Sequence, residues 1–498
     1  MTTANDIIRT ADAEICRPWP RYRLSHADWA ALTHASVTEP WTLLAHWADT
    51  VQAHALFLAP QTLTIVPVST PIEAGRYPAL SPLLPGAAWY ERMIHDLWGH
   101  MAEGGTDIRP WLDHGTWPQL RPMATRPEPR TAIEPLLLSD PDREGAMMLP
   151  LGPVWGRLDE AAHLRLTLNG PTIHHAEAVL GFTHKGTLTL MRGKSPRAAA
   201  RFAARLSADA TVAHSIAFAE ATEAALDVTA PPRAIALRIV MLEIERIAGH
   251  VENLAEVGRL AGAHSVRTRC GLLRETLLRA ADAAFGHRLM MDCVVPGGVA
   301  TDIAEGGPQV ILRALGDIAS QLESIRRLHH GPALSLRLSG LGRADSRWVT
   351  ALGAGGVVGR ASGRSFDVRT MLSPGYAALA PRLAMRTEGD AAARQHLRIF
   401  EISESLRLIS AAFDTLPDGP LTVALPQASG EGIGCAESIR GDVWHWLRLD
   451  HGQIAAVFTR DPGWALWPLA ERVLENADAD DAGLIRTSLA LPASGMDL

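Results

Sequence analysis

The spacing of apolar and polar positions changes several times along the chain, and each change predicts an element. Two short apolar runs, AHALFLAP (53–60) and TLTIVPVS (62–69), are bounded by Pro and Ser and predict strands, so residues up to about 85 read as a small α+β unit. The stretch 162–182 alternates about Asn169-Gly170, a strong hairpin dipeptide, and predicts two paired strands. Apolar positions then recur at helical spacing over 196–226 and 231–260, with Pro231-Pro232 between them at a helix start. Further helices are predicted over 268–285, 308–330, 344–353 and 388–415, and strands at LTVALP (421–426), VWHWLRLD (443–450) and QIAAVFTR (453–460). The predicted fold is α+β: a small N-terminal α/β domain at 1–122, a Pro- and charge-rich linker at 123–150, and a mainly helical domain with small β-sheets at 151–498.

Length supports more than one domain, because single cores stop growing near about 250–300 residues and this chain has 498. A formal net charge of −7 gives no electrostatic reason to bind nucleic acid or an anionic lipid surface. The basic residues are nearly all arginine, Lys185 and Lys194 being the lysines. The N-terminal stretch has acidic residues early and no signal-like apolar segment, and no later run approaches about 18 uncharged apolar residues. A non-spanning, cytoplasmic chain is expected. Cys16, Cys270, Cys293 and Cys435 are scattered, which excludes a disulfide framework and any C-x-x-C metal pair.

Most familiar chemical motifs fail on spacing. Gly186 to Ser195 suggests a phosphate loop, but the position that must be glycine is Leu188, so an ordinary turn is expected. Gly353-Ala-Gly355-Gly356-Val-Val-Gly359 misses the third glycine of a dinucleotide loop by one position and reads as a flexible or tightly packed loop. His174-His175, His329-His330 and His95 with His100 lack zinc-ligand spacing, and nucleophile elbows and EF-hand loops are absent.

Two long passages carry a resemblance. Trp89-Tyr90-Glu91-Arg92-Met93-Ile94-His95-Asp96-Leu97-Trp98-Gly99, with Asp107-Ile108-Arg109-Pro110 beyond it, is similar to the signature of the 30 kDa subunit of respiratory complex I. From Leu151-Gly152-Pro153 onward the chain resembles the complex I 49 kDa subunit and the large subunit of group 4 nickel–iron hydrogenases. The matching segments keep the family order: Leu180 to Gly186; Glu243, Glu245, Arg246 and His250; Gly297-Gly298; Arg360-Ala361-Ser362-Gly363 with Asp367 and Arg369; Gly419-Pro420; Glu437 with Arg440-Gly441-Asp442. The fused order is that of formate hydrogenlyase and hydrogenase-4 large subunits.

Active members hold nickel and iron with two C-x-x-C pairs, since soft thiolates suit and bridge these metals. Here Ser207 and Ala210 stand at one pair and Pro492 and Gly495 at the other, so no metal of its own is expected. The phrase Arg205-Leu-Ser207-Ala-Asp209-Ala-Thr-Val-Ala-His214 is similar to cysteine-less hydrogenase-4 component G-like proteins.

The resemblance implies a subunit of a membrane-bound oxidoreductase, peripheral on the cytoplasmic side of the inner membrane. Its partners would be an iron–sulfur small subunit of the complex I type and antiporter-like membrane subunits. Electrons would pass from the partner's iron–sulfur cluster to quinone or another small acceptor; the alternative is a structural or conformational-coupling role. The implied catalytic set is Arg205, Asp209, His214, Arg360 and Asp367. His163, Arg205 and His214 are the residues implied to face a quinone or the cluster. The quinone-binding tyrosine and histidine of complex I correspond to Ala208 and Trp155, and the cluster-side histidine to Met291. Each residue also has a plain alternative: a surface ion pair for Arg205, an interior histidine for His214, a helix cap for Asp209, and buried ion pairs for Arg360, Asp367, Arg369, Glu245, Arg246 and His250.

Overall fold

The computed structural model describes residues 3–59, 62–133, 138, 146–155 and 160–498. Of the expected linker at 123–150, residues 134–137 and 139–145 lie outside the described residues. The N-terminal region forms a five-stranded sheet in the order Asp12–Glu14, Arg21–Arg23, Thr64–Pro71, Gln52–Ala59, Thr42–Ala48. Arg21–Arg23 runs parallel to Thr64–Pro71, and the other pairings are antiparallel. The helix His26–Thr38 opens on a Ser25 side chain that accepts from the Asp28 amide. The signature helix Ala88–Trp98 closes on Gly99 at φ 78°, a left-handed position that glycine occupies without strain.

The later region holds the expected hairpin, His163–Asn169 paired with Thr172–Val179, and Met147–Leu151 adds a third strand. The long helices Pro232–Leu260, His264–Phe285, Gly307–His330 and Ala391–Asp414 lie within a few residues of their predicted bounds. The predicted helix at 344–353 is shortened to Ser346–Ala351, with Asp345 as its cap.

Two predictions are corrected. The single helix expected over 196–226 is two, Pro196–Ala203 and Thr211–Leu226. The second has no side-chain cap of its own; Glu245, from the Pro232–Leu260 helix, accepts from the Val212 and Ala213 amides, so a distant carboxylate sets where it begins. LTVALP is not a strand, and of its residues Thr422 makes one isolated bridge to Gly298. The strand instead is Gly430–Glu437, paired with Asp442–Asp450 and then Gln453–Arg460.

Gly430, Gly432 and Gly434 explain that strand. A Cβ at Gly430 would lie 2.0 Å from the Ala225 carbonyl oxygen, one at Gly432 2.1 Å from that of Ala221, and one at Gly434 2.3 Å from that of Ala217. Alternate glycines on a strand thus face alanines four apart on the Thr211–Leu226 helix, and backbone packs on backbone.

The two regions share a core. Trp47 stacks on Phe458 at 5.3 Å and meets Trp446 at 5.5 Å, while Tyr90 stacks on Trp464 at 4.4 Å. The backbone joins them too: Ile433 donates to the Arg17 carbonyl and Arg17 to that of Glu431. Arg21 pairs with Glu431 beneath, at 2.7 Å. Among the described residues no helix is long and apolar enough to cross a membrane.

Candidate functional site

Three loops converge where the resemblance points. They are 204–210 ahead of Thr211–Leu226, the turn 438–441 between two strands of the C-terminal sheet, and 490–497 after the helix Ala482–Leu489. Arg440 ties them together. Both of its terminal nitrogens donate to the two Asp209 carboxylate oxygens, and its Nε donates to the Ala490 carbonyl at 2.6 Å. Ser207 Oγ donates to Asp209 Oδ1 at 2.9 Å. Where thiolates in the related hydrogenases would join the loops through metal, a guanidinium–carboxylate fork joins them here. The Arg440 turn in turn rests on Gly356, where a Cβ would lie 2.2 Å from the Arg440 carbonyl oxygen. Of the glycine-rich segment expected as a loop, Gly353–Gly355 lies ahead of a short helix, Gly356–Ala361, whose first residue packs on the Arg440 backbone.

Gly495, in the third loop, lies beside Asp461. A Cβ on Gly495 would come within 2.4 Å of Asp461 Oδ2, and Trp467 Nε1 donates to the Pro492 carbonyl. His214 links the two sides: its Nε2 hydrogen-bonds Asp461 Oδ2 at 3.2 Å and its Nδ1 hydrogen-bonds His445 Nε2 at 3.0 Å. All three side chains are fully buried. Burial works to raise the Asp461 carboxyl, but the His214 hydrogen bond and the nearby Arg440 charge hold it below its usual range. Burial, aided by His214, pushes His445 well down, so it stays neutral.

Arg360 and Asp367 belong elsewhere. Arg360 bonds Glu401, Glu437 and Asp367, and Arg369 bonds Asp367, Glu243 and Glu401. Arg246 completes this set through Glu401 and the carbonyls of Glu437 and Ser438. Burial would raise Glu401, yet Arg360 and Arg246 hold it well below the carboxylate range. Glu243 accepts from Tyr376 at 2.6 Å. His250, pushed down to about 3 by burial, sits neutral between Glu401 and Arg398.

A cavity of about 200 Å3 opens against the first loop. Ala208, Asp209, Glu245, Arg440, Arg274 and Arg486 are among the residues that line it. Among the described residues, Arg360, Asp367, His214 and His163 do not border it. His163 Nδ1 hydrogen-bonds the Gly152 carbonyl at 3.1 Å. Arg205 is half-exposed in a two-bond pair with Asp292, both at 2.7 Å. Trp155, the residue at the complex I histidine position, stacks under Arg486 at 4.4 Å and so meets the cavity wall indirectly.

The sequence reading missed Arg440 and Asp461 as site residues, and the chain order could not have paired them with Asp209 and His214. Among the described residues no group of three or more histidine, cysteine or carboxylate side chains is arranged to hold a metal ion.

Burial also raises Glu245 and Glu471 from the ordinary 4.5 to about 8, against amide hydrogen bonds from Val212 and Ala213 in the first case and Ala178 in the second. Both carry a proton in the folded chain between pH about 4.5 and 8 and lose it on unfolding. The folded state binds more protons there, so this contribution is full below about 4.5 and lost as pH rises through 8. The urea midpoint is expected to fall between pH 6 and pH 9, and a Glu471→Gln variant to flatten that fall; an unchanged slope would show that Glu471 is ionised at neutral pH.

Comparison with known proteins places this geometry. The family described as respiratory-chain NADH dehydrogenase, 30 Kd subunit, matches residues 28–128, and its 49 Kd subunit counterpart matches 261–431. Formate hydrogenlyase subunit 5 of Escherichia coli (strain K12) is 28% identical over 430 residues, covering 83% of this chain and 75% of the relative. Hydrogenase-4 component G of the same organism is 27% identical over 463 residues, covering 90% and 80%. A chain in the structure of the membrane-bound sulfane sulfur reductase, an archaeal respiratory membrane complex, superimposes with a TM-score of 0.67 at 22% identity, over 72% of this chain and 100% of that one. That last likeness speaks to the fold.

Proposed function

For this chain, a fusion of complex I-like 30 kDa and 49 kDa regions whose relatives are subunits of membrane-bound hydrogenase and complex I-like assemblies, we propose the role of an electron-transferring subunit without a nickel–iron centre. It would sit peripherally on the cytoplasmic side of the inner membrane with antiporter-like membrane subunits. Electrons would come from an iron–sulfur small subunit of the complex I type and reduce an acceptor in the cavity beside Asp209.

The observation that carries this reading is the fork between Arg440 and Asp209. The loops that hold metal in the related hydrogenases are kept together by charge, with an open cavity retained next to them. The donor set does not suit nickel and iron, which need thiolates. Ser207, Ala210, Pro492 and Gly495 supply none, and burial pushes the thiols of Cys270 and Cys293, far along the chain, up to about 12 and about 11.

A quinone ring needs donors at both carbonyl oxygens. The described lining holds no tyrosine or histidine, so a quinone or another small acceptor would take its donors from arginines, Arg440 with Arg274, Arg288 and Arg486. Catalysis would consist of positioning and of stabilising charge on the reduced acceptor. Arg205, paired with Asp292 at the surface, would face the partner's cluster, where a fixed cation raises its potential. The second reading, a structural or coupling subunit with no redox substrate, draws on the burial of His214, Arg360 and Asp367 away from the cavity.

The test is purification of the tagged chain from detergent-solubilised membranes of its host, followed by metal analysis and viologen-driven reduction of quinone and of small polar acceptors. Co-purified iron–sulfur and membrane subunits, iron without nickel, and acceptor reduction are expected. Stoichiometric nickel would overturn the reading, and an intact complex that reduces no acceptor would favour the structural role.

A further inference from the structure

Resting on that reading of the cavity, we propose that Glu245 is its proton donor, passing a proton to the acceptor as it is reduced. Glu245 lines the cavity together with Asp209 and Arg440. Its position is fixed: Oε2 accepts from the Val212 amide at 2.6 Å and Oε1 from the Ala213 amide at 3.1 Å, both in the first turn of Thr211–Leu226. Each oxygen keeps a lone pair beyond its amide, so a protonated carboxyl has an O–H to aim into the cavity.

The other carboxylates on the cavity wall are engaged with guanidiniums. Asp209 holds Arg440, Glu252 meets Arg274 at 2.8 Å, and Glu256 accepts from Arg259 at 2.8 Å. Their oxygens are taken up in these pairs. Glu245 is held by amides instead. Its neighbour Arg246 is turned to Glu401 and to the Glu437 and Ser438 carbonyls. Asp209 on its loop, Arg440 on its turn, and Arg274, Arg288 and Arg486 line the same space as Glu245. Burial, reinforced by the Asp209 charge, outweighs the two amides and the Arg246 charge and pushes the Glu245 carboxyl up to about 8. The group therefore holds its proton at neutral pH and sits near the operating range of a general acid.

The step balances simply. The acceptor takes two electrons, one at a time, from the iron–sulfur carrier of the partner subunit. The Glu245 O–H bond breaks, its proton bonds to the reduced atom of the acceptor, and water in the open cavity supplies the second proton. The carboxylate left behind is stabilised by the two amides at the positive end of the Thr211–Leu226 helix until solvent reprotonates it.

Two measurements test this. In the intact chain, the infrared carbonyl band of protonated carboxyls at pH 7 is expected to lose intensity in Glu245→Gln and to keep it in Glu252→Gln. In the purified complex, with reduced methyl viologen as electron source and a short-chain quinone or a small polar acceptor, Glu245→Gln is expected to lower kcat about 100-fold with KM within about twofold. Its pH profile should lose the limb near 8, and Glu245→Asp should restore part of the rate. An infrared band unchanged by Glu245→Gln overturns the assignment, as does a variant complex with wild-type kcat and pH profile. A wild-type complex that reduces no acceptor overturns the reading of the whole site, and the donor role with it, while the infrared result still reports where the proton sits.

Discussion

Replacing Glu401 with leucine is expected to cost about 3–5 kcal/mol of folding stability, a large share of the roughly 5–15 kcal/mol that a folded domain has. The carboxylate is shared by Arg246, Arg360 and Arg369, and all four side chains are at most 5% exposed. Three guanidiniums would lose their common acceptor in a buried region, and Asp367 and Glu243 are already committed to Arg369. The Arg246 link also anchors the 437–438 backbone just ahead of Arg440, so the damage should reach the loop that holds Asp209. Urea unfolding followed by tryptophan fluorescence checks this. Glu323→Gln, which breaks an exposed pair with Arg326, serves as the control and should leave the urea midpoint nearly unchanged. Equal effects from the two substitutions would show that the buried network is already compensated from elsewhere.

Gly432→Val is expected to be comparably damaging, about 3 kcal/mol or more, for a steric rather than an electrostatic reason. The first added carbon would lie 2.1 Å from the Ala221 carbonyl oxygen, a backbone atom that cannot rotate away. Either the strand leaves its sheet or the Thr211–Leu226 helix lifts, and the helix start carries His214 and the amides that bind Glu245. Loss of soluble yield and a lowered urea midpoint are the readouts. Gly271→Ala, on an exposed helix face with open space around it, should instead be neutral or stabilise by about 0.5–1 kcal/mol. A tolerated Gly432→Val would mean that the helix and strand are not in contact through their backbones.

Much of the architecture was legible from periodicity. The long helices and the Asn169-Gly170 hairpin needed only local patterns, because apolar spacing and turn chemistry act within a dozen residues. The split of 196–226 was not legible, since the cap of its second half is Glu245, 32 and 33 residues from the amides that it binds. The strand Gly430–Glu437 was not among the predicted ones; glycine usually weakens a strand, and its value here lies in the alanine-lined helix that rests on it.

The site divides in the same way. Motif order alone picked out Asp209, His214, Arg360 and Asp367 and the four positions where cysteine is missing, because these sit in short recognisable phrases. It could not show that Asp209 is met by Arg440, 231 residues away, or His214 by Asp461, 247 residues away. Nor could it separate Arg360 and Asp367, which lie in a buried ion network, from the side chains that border the cavity. The sequence by itself determined the fused order of the two regions and that Ser207, Ala210, Pro492 and Gly495 carry no thiol, because both are statements about residue identity. Only the tertiary structure decided which charges neutralise one another and which carboxyl is left without a guanidinium, because burial and pairing depend on distances that the chain sets only once it has folded.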